Sequence, residues 1–179
     1  LATVDLSSPM GDEEFVGLLP LMSDVSGIYL TGPEFTDESI RALSGMTLYN
    51  LALSRVEWTE AGVADLEGFA TSYLTLHECE LNAQIMRGLL KDPAMPTMLN
   101  AITLNRVELT PETMSELLVC KGIVSMQIAT PLSEEALKSL SGFTALRHLL
   151  LSSCELDDED IRLLVESLPP RVTTLSLDS

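Results

Sequence analysis

An apolar-x-apolar pair recurs along the chain at Val4/Leu6, Ile28/Leu30, Leu51/Leu53, Leu74/Leu76, Ile102/Leu104, Met126/Ile128, Leu149/Leu151 and Leu175/Leu177, with successive spacings of 24, 23, 23, 28, 24, 23 and 26 residues. Residues two apart lie on one face of an extended strand, so each pair predicts a short strand with one buried face. Most copies carry a further apolar residue three positions earlier, at Leu1, Val25, Leu48, Leu99, Ile123, Leu146 and Val172; the fourth has Thr71 there. A pattern sustained at this period over the whole chain predicts an array of stacked units.

After each pair the period changes to that of a helix. Thr36, Thr59, Asn82, Thr110 and Asp157 follow the second apolar residue by six positions; Gly11 and Ser133 follow it by five. These are preferred N-cap types, whose side-chain oxygen (Gly aside) accepts from an amide of the first turn. The residue before each cap and the one five further on are both apolar: Met10/Phe15, Phe35/Ile40, Trp58/Val63, Leu81/Met86, Leu109/Met114, Leu132/Leu137 and Leu156/Ile161. That pairing is the hydrophobic staple. Acids in the first turns, such as Asp37, Glu38 and Asp157 to Asp160, suit the helix dipole, and Pro111 fits the first helical position. Leu43, Leu66, Leu89, Leu117, Leu140 and Leu164 extend the apolar stripe.

Each unit therefore reads as strand, tight turn, capped helix and return loop. The segments LYNLALSRVEW, LNAITLNRVEL and LRHLLLSSCEL carry the spacing L-x-x-L-x-L-x-x-N/C-x-L, and on them the chain resembles the leucine-rich repeat family over essentially its whole length. Its units of 23 to 28 residues with helical second halves are similar to the cysteine-containing and ribonuclease-inhibitor-like subtypes. The family's Asn or Cys position holds Pro9, Pro33, Val56, Cys79, Val107, Pro131 and Cys154, so the asparagine ladder of many members is missing. The resemblance implies a single domain over 1–179, an α/β right-handed solenoid or horseshoe with a parallel concave sheet and convex helices. It would comprise seven full units and a final strand, each unit contacting mainly its neighbours. The pattern is already under way at the first residue, and no polar cap follows the last strand, VTTLSLDS. The chain thus reads as a piece of a longer protein, or as one whose end docks against something.

Strand alternation gives each side chain a direction. The paired positions and the Asn/Cys position are expected to point inward, and the residues between them to face the concave surface. That surface is small and hydroxylated, with Tyr29, Tyr73, Asn105, Gln127 and both histidines, His77 and His148, as its larger groups. One position beyond the sheet, Arg55, Glu78 and Arg106 fall on three adjacent units. Neighbouring strands lie about 4.8 Å apart, so an alternating ion-pair column is expected there. Glu34, Glu57, Glu80, Glu108 and Glu155, two residues before their N-caps, form a file at the turn tips that Pro131 interrupts. Solvated turns accommodate Glu readily; otherwise the file suits Lys and Arg of a partner. Ca²⁺ needs about six to eight converging oxygens, which separate turns do not bring together.

Composition narrows the partners. With 46% hydrophobic and 21% charged residues the chain is expected to fold, and with 4% aromatics its core must be aliphatic. Ten Lys and Arg stand against 27 Asp and Glu, a net charge of −17. That balance argues against nucleic acid or an anionic membrane and suits a basic partner or simple solubility. No run approaches the ~20 apolar residues of a membrane span, and LATVDLSSP lacks the form of a secretion signal. Three cysteines, an odd number, argue against a disulfide framework and for a reducing, cytoplasmic compartment.

The densest cluster of reactive types is LTLHECELN, Leu74 to Asn82, with His77, Glu78, Cys79 and Glu80 in succession. Taken across the strands it separates: Leu74, Leu76, Cys79 and Leu81 turn inward, Asn82 caps a helix, His77 faces the groove, and Glu78 lies between two arginines. Cys79 and Cys154 are three units apart, as are His77 and His148; at ~14 Å neither pair can form a disulfide or share a metal. Cys120 falls late in the fifth helix, on the convex side. No Ser-His-Asp arrangement, Gly-rich phosphate loop or Cys-x-x-Cys pair follows from the pattern. The chain is therefore expected not to be an enzyme, and to use no metal and no cofactor. Residues 91–98, KDPAMPTM, lengthen the fourth unit, with Pro93 and Pro96 stiffening the loop and Met95 at its surface. The expected function is protein or peptide binding on the concave face through Tyr29, Arg55, Tyr73, His77, Glu78, Asn105, Arg106, Gln127 and His148. The other reading is a structural module that self-associates through its end strands.

Overall fold

The computed structural model describes residues 2–7, 9–22 and 24–178. Leu1, the first apolar position, and Ser179, the end of the expected domain, lie outside the described residues. Over the described residues strand and helix alternate: β1 (Ala2–Ser7), α1 (Asp12–Leu18), β2 (Val25–Thr31), α2 (Asp37–Ala42), β3 (Thr47–Ser54), α3 (Glu60–Ala64), β4 (Ala70–His77) and α4 (Ala83–Leu89). A short extra helix, α5 (Met95–Met98), precedes β5 (Ala101–Asn105) and α6 (Pro111–Leu117). The chain continues through β6 (Ser125–Ala129), α7 (Glu134–Ser139), β7 (His148–Ser152), α8 (Asp158–Ser167) and β8 (Thr174–Asp178).

The strands form a single parallel sheet in sequence order, β1 to β8. Its register stacks the repeated pairs on one another. The second members run unbroken from Leu6 through Leu30, Leu53, Leu76, Leu104, Ile128 and Leu151 to Leu177. A one-residue slip would turn this whole row to the opposite face, so the buried row itself holds the register. From Ile28 to Leu151 both members of every pair are buried. At the last strand the cover ends: Leu175 is 36% and Leu177 43% exposed.

Helices form where the caps predict them. Thr36, Thr59, Asn82, Thr110, Ser133 and Asp157 each accept from an amide of their own first turn, which satisfies one of the orphan donors at a helix start. At Gly11 the Glu14 carboxylate instead accepts from the Gly11 N–H. The staple residues Phe15, Ile40, Val63, Met86, Met114 and Leu137 are buried between sheet and helices, with the stripe from Leu43 to Leu164. Ile161, expected in the same position, is 37% exposed, because no further unit packs over α8 among the described residues.

Units are also tied by polar contacts across the helix starts. Asp12, the first residue of α1, accepts from the N–H and hydroxyl of Thr36 and from those of Ser39. Asp37 does the same for Thr59, and Gly62 leaves the space that this carboxylate occupies. Glu60 accepts from the Asn82 amide. The first-turn acids therefore act on the next unit's cap as well as on their own helix dipole.

Three expectations need correction. Pro9, Pro33 and Pro131 are exposed, whereas Val56, Cys79, Val107 and Cys154 at the same motif position are buried. In the sixth unit Thr130 takes the inward place, 7% exposed, and donates its hydroxyl to the Val107 carbonyl. Met95 is fully buried and not at the surface; its sulfur accepts from the Thr71 N–H at 3.3 Å. Residues 91–98 thus fill the site where the fourth unit lacks its leading apolar residue. Cys120 lies just past α6 and is fully buried, and burial pushes its thiol up to about 12.

Among the described residues no helix is long and apolar enough to cross a membrane.

Candidate binding surface

The sheet face opposite the buried row presents three columns of side chains. One runs Thr3, Gly27, Asn50, Tyr73, Ala101, Ser125, His148, Thr174. The next runs Asp5, Tyr29, Ala52, Thr75, Thr103, Gln127, Leu150, Ser176. The third carries Thr31, Ser54, His77, Asn105 and Ala129. Across the first two columns the only charged side chain is Asp5, so this face carries no Lys or Arg there.

Aromatic surface gathers at one edge. Tyr73 is 39% exposed, and its ring packs against Tyr49, 57% exposed, at a centroid distance of 4.7 Å and an angle of 47°. The Tyr73 hydroxyl, hydrogen-bonded to Tyr49, holds the Tyr49 phenol above the ordinary tyrosine range. Tyr29 accepts from the Asn50 amide at 2.5 Å. All three tyrosines of the chain therefore lie on β2 to β4. Sequence alternation alone missed Tyr49, which sits between Leu48 and Asn50 and so falls outside the strict in–out pattern. Gln127 and His148 are exposed on the same face, and the His148 ring contacts the Thr174 hydroxyl at 3.2 Å.

Past the strand ends the backbone turns through the left-handed region at Gly32, Arg55, Glu78, Arg106 and Ser153. Non-glycine residues pay steric strain of about 1–2 kcal/mol there. What holds them is a ladder: the N–H of Arg55, Glu78, Arg106 and Ser153 donates to the His77, Asn105, Ala129 and Asp178 carbonyls of the next unit at 2.9–3.1 Å. The charged side chains project from this ladder. Arg106 pairs with Glu78 at 2.6 Å, and His77 lies 3.7 Å from the other Glu78 oxygen. The Arg106 hydrogen bond holds the Glu78 carboxyl below the usual range, against a smaller desolvation effect and with help from the His77, Arg106 and Arg55 charges. Arg55 acts on Glu78 only at longer range, so the expected column is one close ion pair with a third charge beside it.

His77, Asn105 and Arg106 also line an open groove of about 1010 Å³, whose other wall is Ala129, Pro131, Ser133, Ser152 and Ser153. The turn from Ile128 to Ser133 is one residue shorter than those after Leu104 and Leu151, so this wall of the groove has one turn residue fewer. The structure brings His77, Glu78, Asn105 and Arg106 together at this rim. Tyr29 and Tyr73 belong to the aromatic edge, with Arg55 beside a smaller groove that also touches Glu78.

The nucleophile candidates lie elsewhere. Cys79 and Cys154 are buried and donate to the carbonyls of Leu53 and Ile128 in the preceding units, 3.5 Å away, and to His77 and Ser152 at 3.3 Å. Burial pushes both thiols up. Among the described residues no three His, Cys, Asp or Glu side chains gather so as to hold a metal ion.

Fold and surface together define a repeat protein of strand–helix units with one open sheet face. Compared with known proteins, the chain matches no family model and no curated protein.

Proposed function

We propose that the chain is a non-catalytic recognition module of leucine-rich repeat type, a right-handed horseshoe whose concave sheet face binds a protein or extended peptide. The observation that carries this reading is the exposed Tyr49–Tyr73 pair on the open face, flanked by Asn50 and Tyr29. Tyrosine supplies a large, stiff, amphipathic contact and is enriched among residues that dominate interface energetics. Tyr29, Tyr73, Asn105, Gln127 and His148 form the contact surface, with Arg55, Glu78 and Arg106 along its rim. The net charge of −17 favours a basic partner over nucleic acid or an anionic membrane. The three thiols are free and buried, which suits a reducing, cytoplasmic compartment.

The test is selection of binders from a random phage-displayed peptide library on the wild-type protein. Selected peptides should lose most of their affinity for the Tyr73→Ala/Asn105→Ala double variant. Peptides held equally well by both proteins would count against the sheet face.

A second reading has its own support. At the end of the array Leu151, Leu156, Ile161 and Leu177 line a mainly apolar cleft of about 310 Å³ beside exposed Leu175. An uncovered sheet end of this kind suits stacking on another copy. Sedimentation that shifts with protein concentration, and reverts in Leu177→Lys, is the expected signature.

A further inference from the structure

The sixth unit breaks the backbone ladder at one place. After β2 to β5 and after β7, the residue following the strand donates its N–H to a strand-end carbonyl of the next unit. After β6 that residue is Thr130, which turns inward; its hydroxyl goes to Val107 and its N–H faces the Cys154 sulfur. By the ladder's own geometry the acceptor left over is the Ser152 carbonyl. It accepts from the Cys154 thiol at 3.3 Å, a weak donor. Ser152 lines the large groove, so an acceptor without its ladder amide borders the place where the missing turn residue would have been.

The surroundings select the donor. Asn105, Ser133, Ser153 and Glu108, all residues that carry acceptor oxygens, line the same groove. The cation present, Arg106, is already engaged by Glu78 at 2.6 Å. The gap is one residue wide and lacks one N–H. A compact ammonium with three donors fits such a site, whereas a planar guanidinium needs a wider, two-pronged acceptor.

The geometry points to the groove at the sixth unit as the pocket for a lysine side chain of an extended peptide, its ammonium donating to the Ser152 carbonyl in place of the absent ladder amide. This deepens, and rests on, the reading of the open sheet face as the binding surface. Glu108 lines the same groove and supplies the opposite charge, and Val107, Leu109 and Leu132 supply apolar lining for the lysine stem.

The experiment is a two-dimensional NMR titration of the protein with acetyl-Ala-Lys-Ala-amide, and with the same peptide carrying norleucine for lysine. The lysine peptide should shift the amide signals of Ala129, Thr130, Ser152 and Ser153, and norleucine should not. Glu108→Gln should weaken binding roughly threefold, the size expected of one partly exposed charge contact. Inserting a glycine between Ala129 and Thr130, which restores the six-residue turn and its amide, should abolish the shifts. Ala129→Phe, which fills the groove from an open-face position, should do the same if the insertion disturbs folding. Equal shifts from the norleucine peptide, or undiminished lysine binding by the folded insertion variant or by Ala129→Phe, overturn the proposal. If phage-selected peptides still depend on Tyr73 and Asn105 while the lysine peptide shifts nothing at the groove, this inference falls and the binding-face reading stands.

Discussion

The Asp12 carboxylate accepts hydrogen bonds from both the N–H of Thr36, at 2.8 Å, and its hydroxyl, at 2.5 Å, one repeat further along the chain. Thr36 is itself the N-cap of α2, so the acid that begins one helix fixes the residue that begins the next. The same relation joins Asp37 to Thr59 and Glu60 to Asn82. It stops at the fourth helix, whose first residue is Ala83. Neighbouring units in the first half of the array are thus locked by side chains as well as by the sheet.

Asp12→Ala is expected to lower stability by about 1–3 kcal/mol, because it strips acceptors from the Thr36 and Ser39 donors. Asp12→Asn should cost less, since its amide oxygen still accepts. Urea denaturation of the three proteins side by side measures this.

The same carboxylate gives a pH dependence. Burial pushes its pKa up, but the hydrogen bonds from Ser39 and Thr36 outweigh this and hold it below the ordinary aspartate value of 3.8. A depressed folded pKa favours the ionised form in the native state. Its contribution is therefore fully present above the unfolded value and lost as pH falls through the lower folded value. The stability gap between wild type and Asp12→Asn should be constant near neutrality and shrink below pH 3.8.

Met95→Ala should be among the costlier single changes. It opens a cavity at a fully buried site and removes the acceptor of the Thr71 N–H. Large-to-small core substitutions of this kind cost about 2–5 kcal/mol. A loss under about 0.5 kcal/mol, the range of changes at the surface, would mean that residues 91–98 are not part of the core.

The left-handed ladder predicts an inversion of the usual preference. Arg55→Gly should hold or raise the urea midpoint, because glycine adopts this conformation without strain. Arg55→Val should lower stability by about 1–2 kcal/mol.

The three thiols should react slowly with an aromatic disulfide reagent in the native protein and fast once it is unfolded in urea. All three are buried, and burial raises the pKa of each, which removes the reactive thiolate at neutral pH. Prompt stoichiometric labelling of the native protein would contradict this.

Much of the architecture was legible because it depends on short-range pattern. The pair Leu51/Leu53 can face only one way in a strand, and Thr59 before GluAlaGlyVal can only start a helix there. The same arithmetic placed Tyr73, His77, Asn105 and Gln127 on one face. It failed at turns, where alternation no longer applies. Pro33 and Pro131 left the inward position that Val56 and Cys79 keep, and Arg55 did not close on Glu78 as Arg106 did.

The sequence alone determined the repeat and, within each unit, the buried positions and the helix starts, since these last follow from residues within a few positions of one another. Tertiary structure decided what happens between units. It set Tyr49 against Tyr73, Met95 beneath Thr71, Asp12 on Thr36, and left the Ser152 carbonyl facing a shortened turn. These partners are about one unit apart in the chain. Whether they meet depends on turn length and on the left-handed backbone past each strand, which alternation of apolar and polar residues does not encode.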